Sequence, residues 1–138
     1  MRPLRAANGA RPAPPADDVL GRWVAAARAS FEPCVVLDTD GAVAGLSAAA
    51  ATLLGRSDDE VVGRGLLEGL LDLVDFSARD PSGSRLPPIV AAQQDHLSRG
   101  VMQVRLPDGT RITLDAISAP LHDDEHHLVG SVSFLHAV

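Results

Sequence analysis

Three of the chain's five histidines fall within one short stretch, PLHDDEHHLVG, residues 120–130. There His122, His126 and His127 bracket the consecutive carboxylates Asp123, Asp124 and Glu125. Imidazoles and carboxylates in close company are the donors of zinc and iron sites. One reading of residues 122–127 is therefore a metal site in a small α+β metal-binding protein or enzyme. Clustered imidazoles also titrate near neutrality, which would make partner binding through this stretch pH-sensitive. Against a shared ion, adjacent residues of a strand point to opposite faces, which separates His126 from His127. Charge runs between strands are ordinarily solvated, so the stretch reads as a polar turn and no metal ligand is assigned.

Nucleophilic catalysis needs a base within hydrogen-bond reach of the nucleophile. Cys34, the only cysteine, has no histidine beside it in sequence and reads as a buried structural thiol. A single cysteine excludes an internal disulfide and a multi-cysteine cluster within one chain, and it fits a reducing cytoplasm. Gly63-Arg64-Gly65 lacks the third glycine and the preceding strand of a phosphate loop. No catalytic residue is assigned, and the chain does not read as an enzyme.

Composition narrows the classes further. Aromatics are 3%, tyrosine is absent and the net charge is −6, with acidic residues spread along the chain. Neither a base-stacking platform nor a basic nucleic-acid face follows from this. The longest charge-free apolar run, residues 42–55, is too short to cross a bilayer. The first residues carry arginines but no apolar segment of a secretory signal. A cytoplasmic domain without membrane or direct nucleic-acid contact is expected.

The elements that must position these residues follow from pattern. Residues 1–15, rich in Pro and Ala, read as a disordered tail. Val19, Trp23, Ala27 and Phe31 recur every four residues, with Leu20 and Val24 beside them, and predict an amphipathic helix over 16–31 capped by Asp17 or Asp18. CVVLD and AVAGL predict strands joined at Thr39-Asp40-Gly41. Ser47 caps a short helix ending at Gly55, and Ser57 with Glu60 forms a capping box for another ending at Gly63. Leu66, Leu67, Leu70, Leu71 and Val74 describe a helical face. Residues 79–88 form a loop, a helix follows from Ile89 to the stop at Gly100, and three strands close the chain as a meander. One face of the resulting sheet is covered by the short helices, and the helix of residues 16–31 is the candidate cover for the other.

Read together, these pieces match a family. VVLDTDGAVAGLSAAAATLLGRSDDEVVGR resembles the opening half of a PAS domain, through Asp38, Asp40 and Gly41, then Leu53, Leu54 and Gly55, then Ser57, Asp59 and Glu60, then Gly63 and Arg64. LPDGTRITLDAISAPLHDDEHHLVGSVSFLHAV resembles its ending: an Asp-Gly turn, a long strand closing in Pro-Leu, a polar turn, and Val-Gly-x-Val. Ser47 stands where the family often has Asn, and the turn after Pro120-Leu121 lacks the usual glycine.

The resemblance spans residues 32–138 and implies an α+β fold: a five-stranded antiparallel sheet with short helices on one face and the N-terminal amphipathic helix of residues 16–31 beside it. It implies a sensory or protein-interaction module of signal transduction or transcription regulation. Such a module would pair as a homodimer through its N-terminal helix or bind a signalling partner, and could hold a small apolar ligand between sheet and helices. Met102, Val104, Ile112, Leu114, Val132 and Phe134 are expected to face that interior. His96, Met102, Ile112 and Phe134 are the cavity candidates. Haem-binding members carry their ligand where this chain has Ile89 rather than His96, and light-sensing flavin members use a helical cysteine where this chain's Cys34 is in a strand. Both cofactors are therefore disfavoured. No output domain fits in the chain, so it would act on a separate partner or belong to a longer protein.

Overall fold

The computed structural model describes residues 12, 14, 15, 18–74 and 85–138. Most of the expected tail, and residues 79–84 of the expected loop, lie outside them. Five strands, β1 (Cys34–Asp38), β2 (Val43–Leu46), β3 (Ser98–Arg105), β4 (Arg111–His122) and β5 (Leu128–Ala137), form one sheet. Its order is β2-β1-β5-β4-β3, and every neighbouring pair is antiparallel. The helices are α1 (Val19–Ala29), α2 (Ala48–Leu54), α3 (Asp58–Val61) and α4 (Pro87–Gln94), with a wide π-type turn at Leu66–Leu70. The α+β architecture is the expected one. Among the described residues no helix is long and apolar enough to cross a membrane.

Helix ends follow local chemistry, and several differ from the sequence expectation. Asp18 caps α1 by accepting a hydrogen bond from Gly21 N. Ser47 caps α2 through Ala50 N, and its hydroxyl also accepts from Cys34 N and donates to Glu32 O. One buried oxygen thus ties the start of β1 to the start of α2. No capping box forms at α3: Ser57 donates to Glu60 Oε1 instead of accepting from the backbone, and the helix ends at Val61. Pro87 and Pro88, expected in a loop, begin α4, because a proline in the first turn forfeits no helical hydrogen bond. The same helix stops early at Asp95 in the left-handed region (φ 57°), so Gly100 lies inside β3 rather than ending a helix.

Two apolar clusters flank the sheet. The inner one joins Leu37, Val43, Met102, Val104, Leu114 and Leu135 to Leu54, Val61, Leu66, Leu70 and Ile89 of the helical layer. The outer one joins Leu20, Val24 and Ala27 of α1 to Cys34, Val36, Ala44, Leu121, Val132 and Phe134. Met102, Val104, Ile112 and Leu114 face inward as expected, but Val132 and Phe134 face outward. A strand alternates faces, so a one-residue phase difference moves the whole set. On β5 the inward phase is Ser131, Ser133 and Leu135, because α4 lies too close there for larger side chains. Ser131 Oγ donates to Pro88 O at 3.0 Å, and Ser118 and Ser133 share a 2.6 Å hydrogen bond, all fully buried.

The cover over the outer face is the N-terminal helix, though not by the expected stripe. Helix α1 buries Gly21, Val24 and Ala27, while Trp23 is 40% exposed and Phe31, beyond the helix end, is 99% exposed. Gly45 on β2 explains the fit: a Cβ there would stand 2.5 Å from Val24 Cγ1. With no side chain at Gly45, Val24 rather than Trp23 becomes the residue pressed into the sheet.

The Ser118–Ser133 pair generates a testable asymmetry. Ser118→Ala leaves the Ser133 hydroxyl without its partner and is expected to cost about 1–3 kcal/mol. Removing both hydroxyls together is expected to cost clearly less than the sum of the single losses, measured by urea unfolding of the four proteins in the cycle.

Candidate functional site

The residues proposed to line a cavity are not brought together. Met102 and Ile112 share the inner face on adjacent strands, Met102 buried and Ile112 partly so. His96 lies in the connection between α4 and β3 and is exposed, because the helix that would have turned it inward ends two residues earlier. Phe134 sits on the outer face opposite Ile117. Between sheet and helices, Ala91, Ala92 and Ala116 are fully buried beside the serines described above. Among the described residues, the side chains between sheet and helices form one buried apolar cluster.

Residues 123–127 form a tight turn built on Asp123, with His126 and His127 in the turn and His122 closing β4. Asp123 Oδ1 accepts from Glu125 N and His127 N, both at 2.9 Å, and the backbone closes through Asp123 N to His127 O. His126 takes the left-handed conformation (φ 65°), which glycine adopts at least cost. His127 and His122 make different contacts. His127 Nδ1 faces Asp123 and Glu125 at 3.4 and 3.6 Å, while His122 Nε2 meets Asp95 Oδ1 at 2.7 Å and ties the end of β4 to the end of α4. Among the described residues no three His, Cys, Asp or Glu side chains converge to hold a metal. Cys34 is buried, its thiol directed to Ala27 O at 3.7 Å.

The outer face of the sheet is the surface with unassigned chemistry. Helix α1 lies over β2, β1 and β5 and reaches only Ala119 and Leu121 at the far end of β4. Beyond its shelter, Ile117 on β4 is 37% exposed and Val101 on β3 is 68% exposed. Between them Arg99 clasps Asp115 with two hydrogen bonds, of 2.7 and 3.2 Å. The hydrogen bond from Arg99 holds the half-buried Asp115 carboxyl below the usual carboxylate range. Along the flank of α1, Val19, Arg22, Trp23 and Ala26 face His122 and Asp124 across a groove of about 440 Å³. The sequence pattern places Trp23 on the apolar stripe of the N-terminal helix and assigns Ile117 and Val101 to neither face. The signal was present: the outward phase of β4 runs Thr113, Asp115, Ile117, Ala119, Leu121, polar at one end and apolar at the other.

The backbone hydrogen bond from His127, followed by that from Glu125, holds the half-buried Asp123 carboxyl below its ordinary value. A lowered folded value means the ionised group supports the turn above the unfolded carboxylate value of about 4, and that support is lost as pH falls through the folded value. The Glu125 and His127 amide NMR shifts should therefore show no Asp123-linked step between neutral pH and that value. They should move together below it, and Asp123→Asn should remove the acid transition.

A search of the curated proteins finds no relative of this chain. Solved structures do resemble it. The PAS domain of a protein from Colwellia psychrerythraea superposes with a TM-score of 0.64 at 19% identity, covering 88% of this chain and 98% of that one. The PAS domain of an HTR-like protein from Haloarcula marismortui gives 0.62 at 19% identity, covering 85% and 89%. The VqmA dimer of Vibrio cholerae, described with the DNA-binding LuxR-type receptors, gives 0.63 at 14% identity, covering 85% of this chain and 50% of that one. A family model described as the PAS fold matches residues 21–138, and its members are generally sensory modules rather than enzymes. With the β2-β1-β5-β4-β3 sheet, the short helices on its inner face and a match over most of its length, this chain belongs to the PAS family.

Proposed function

We propose that this PAS domain is a protein-interaction module of signal transduction, pairing with a second copy of itself through α1 and the open outer face of β3 and β4. The observation that carries the reading is the half-covered outer sheet: α1 shelters β1, β2 and β5, and leaves Ile117 and Val101 exposed beside it. Exposed apolar side chains grouped on one face mark association surfaces in soluble domains. A twofold pair would place the same face of each copy against the other, with Trp23 at the edge of the contact. The similarity to a dimeric LuxR-type receptor supports this use of the fold, and regulation of transcription through an attached or separate partner follows from it as a proposal.

The inner layer supports pairing over ligand sensing. Where the family cups a small molecule, this chain places Ala91, Ala92, Ala116 and hydrogen-bonded serines. Domain limits of 16–31 for the flanking helix and 32–138 for the sensory core remain our division of the chain. The net charge of −6 speaks against direct nucleic-acid contact, and the reduced Cys34 suits the cytoplasm.

Sedimentation velocity tests the reading. The unaltered chain should be a reversible dimer at micromolar concentration, and Ile117→Asp should shift it to monomer, with the two melting temperatures converging at dilutions where both are monomeric, since Ile117 is not in the core. A chain monomeric throughout, or a dimer indifferent to Ile117→Asp, would overturn the proposed face.

A further inference from the structure

Helix α1 divides the outer face of the sheet into a ridge and a recess. The ridge runs along β5, with Val19 beside Leu128 and Val129 at one end and Ala27 O facing the Cys34 thiol, at 3.7 Å, near the other. One flank turns to the β2 side, where Arg28 meets Asp58 of α3 at 3.2 Å. The other flank, with Val19, Trp23 and Ala26, looks across its groove to His122 and so over β4 and β3. The recess there has a floor of two strands, about 10 Å wide at the usual strand spacing. A helix with its side chains is about 10–12 Å across. The recess is one helix wide.

The chain carries a helix that fits it. On the side of α1 turned away from the sheet, Ala25, Ala26 and Ala29 are exposed, and side chains this small allow close approach to Ile117 and Val101. Charge agrees with the fit. The charged residues of α1 are Arg22 and Arg28, while the far end of the recess carries Asp124, and Arg99 on its floor is neutralised by Asp115. Val19, Trp23 and Ala26 are spaced four and three, the repeat that makes a seam between helices lying side by side.

Symmetry then selects one arrangement. A half-turn about an axis along the strands sets each α1 into the other copy's recess, with the two helices parallel and Trp23 beside the partner's Trp23. A half-turn about an axis across the strands stacks ridge on ridge, runs the helices antiparallel and leaves both recesses empty. We propose that two copies of this chain dock by reciprocal insertion of α1 into the recess over β3 and β4, with the helices parallel and joined along Val19, Trp23 and Ala26. The inference rests on the pairing reading above and adds to it the symmetry axis and the helix direction.

Cross-linking tests the direction. Val19→Cys and Ala26→Cys lie on the seam two helical turns apart, about 10 Å, and Cys34 is buried. An equimolar mixture of the two variants, allowed to exchange subunits and treated with a short bismaleimide, is read by intact mass, which distinguishes self-linked from mixed pairs. Self-linked pairs of both variants should exceed mixed pairs. Ala25→Cys, off the seam, should link at least about tenfold less, since the docked geometry raises the effective thiol concentration only at the seam. Melting of the reduced variants shows whether each is folded, and Ser30→Cys, the next seam position, replaces Val19→Cys should that variant not fold. Mixed pairs at or above their random share, no linked pairs, or equal linking by Ala25→Cys would each overturn the parallel arrangement. If Ile117→Asp still dissociates the dimer in those cases, the pairing face itself stands. A chain monomeric at every concentration overturns both.

Discussion

A helix can lie close to a sheet only where the sheet presents small side chains, and α4 does so over Ser118, Ser131 and Ser133. The serine hydroxyls need partners once water is excluded. They find them in each other and in the carbonyl of Pro88. The geometry is self-consistent: small residues permit the approach, the approach removes water, and the removed water is replaced by hydrogen bonds within the fold. A cavity at this place would have to be made by moving α4 outward and breaking those bonds.

The same constraint shapes the opposite side. With the inward positions of β5 given to serines, its large residues Val132 and Phe134 occupy the outward phase, and they need cover. Helix α1 supplies it through Leu20, Val24 and Ala27, each fully buried aliphatic of Val or Leu size contributing about 1.5–3 kcal/mol relative to exposure. The cover is incomplete because an eleven-residue helix, about 16 Å long, falls short of the roughly 19 Å across five strands even if laid crosswise. What α1 leaves bare on β3 and β4 is the surface available for association.

Much of this was legible from sequence. Asp-Gly turns, the Ser47 cap and the Gly55 helix end carry chemistry that acts within a few residues, and they placed β1, β2 and α2 correctly. The three-strand meander was equally plain from its alternation and turn residues. What was not legible depended on contacts between distant elements. The inward phase of β5 is decided by the nearness of α4, forty-odd positions away in the chain, as the Ser131–Pro88 bond shows. The buried side of α1 is decided by Gly45, so the four-residue spacing of Val19, Trp23, Ala27 and Phe31 pointed to the wrong stripe. His96 was misplaced because Asp95 adopts a left-handed conformation that usually belongs to glycine or asparagine.

Trp23 is the only tryptophan, tyrosine is absent, and its ring stands partly exposed on the flank of α1 at the edge of the open outer face. Its fluorescence is therefore a direct and unmodified reporter of whether that face is covered. Emission and acrylamide quenching, followed as the protein is concentrated through the micromolar range, test the account where it is most committed. A shift to the blue with falling quenching is the expected result. An emission maximum and quenching constant that stay the same at every concentration would contradict it.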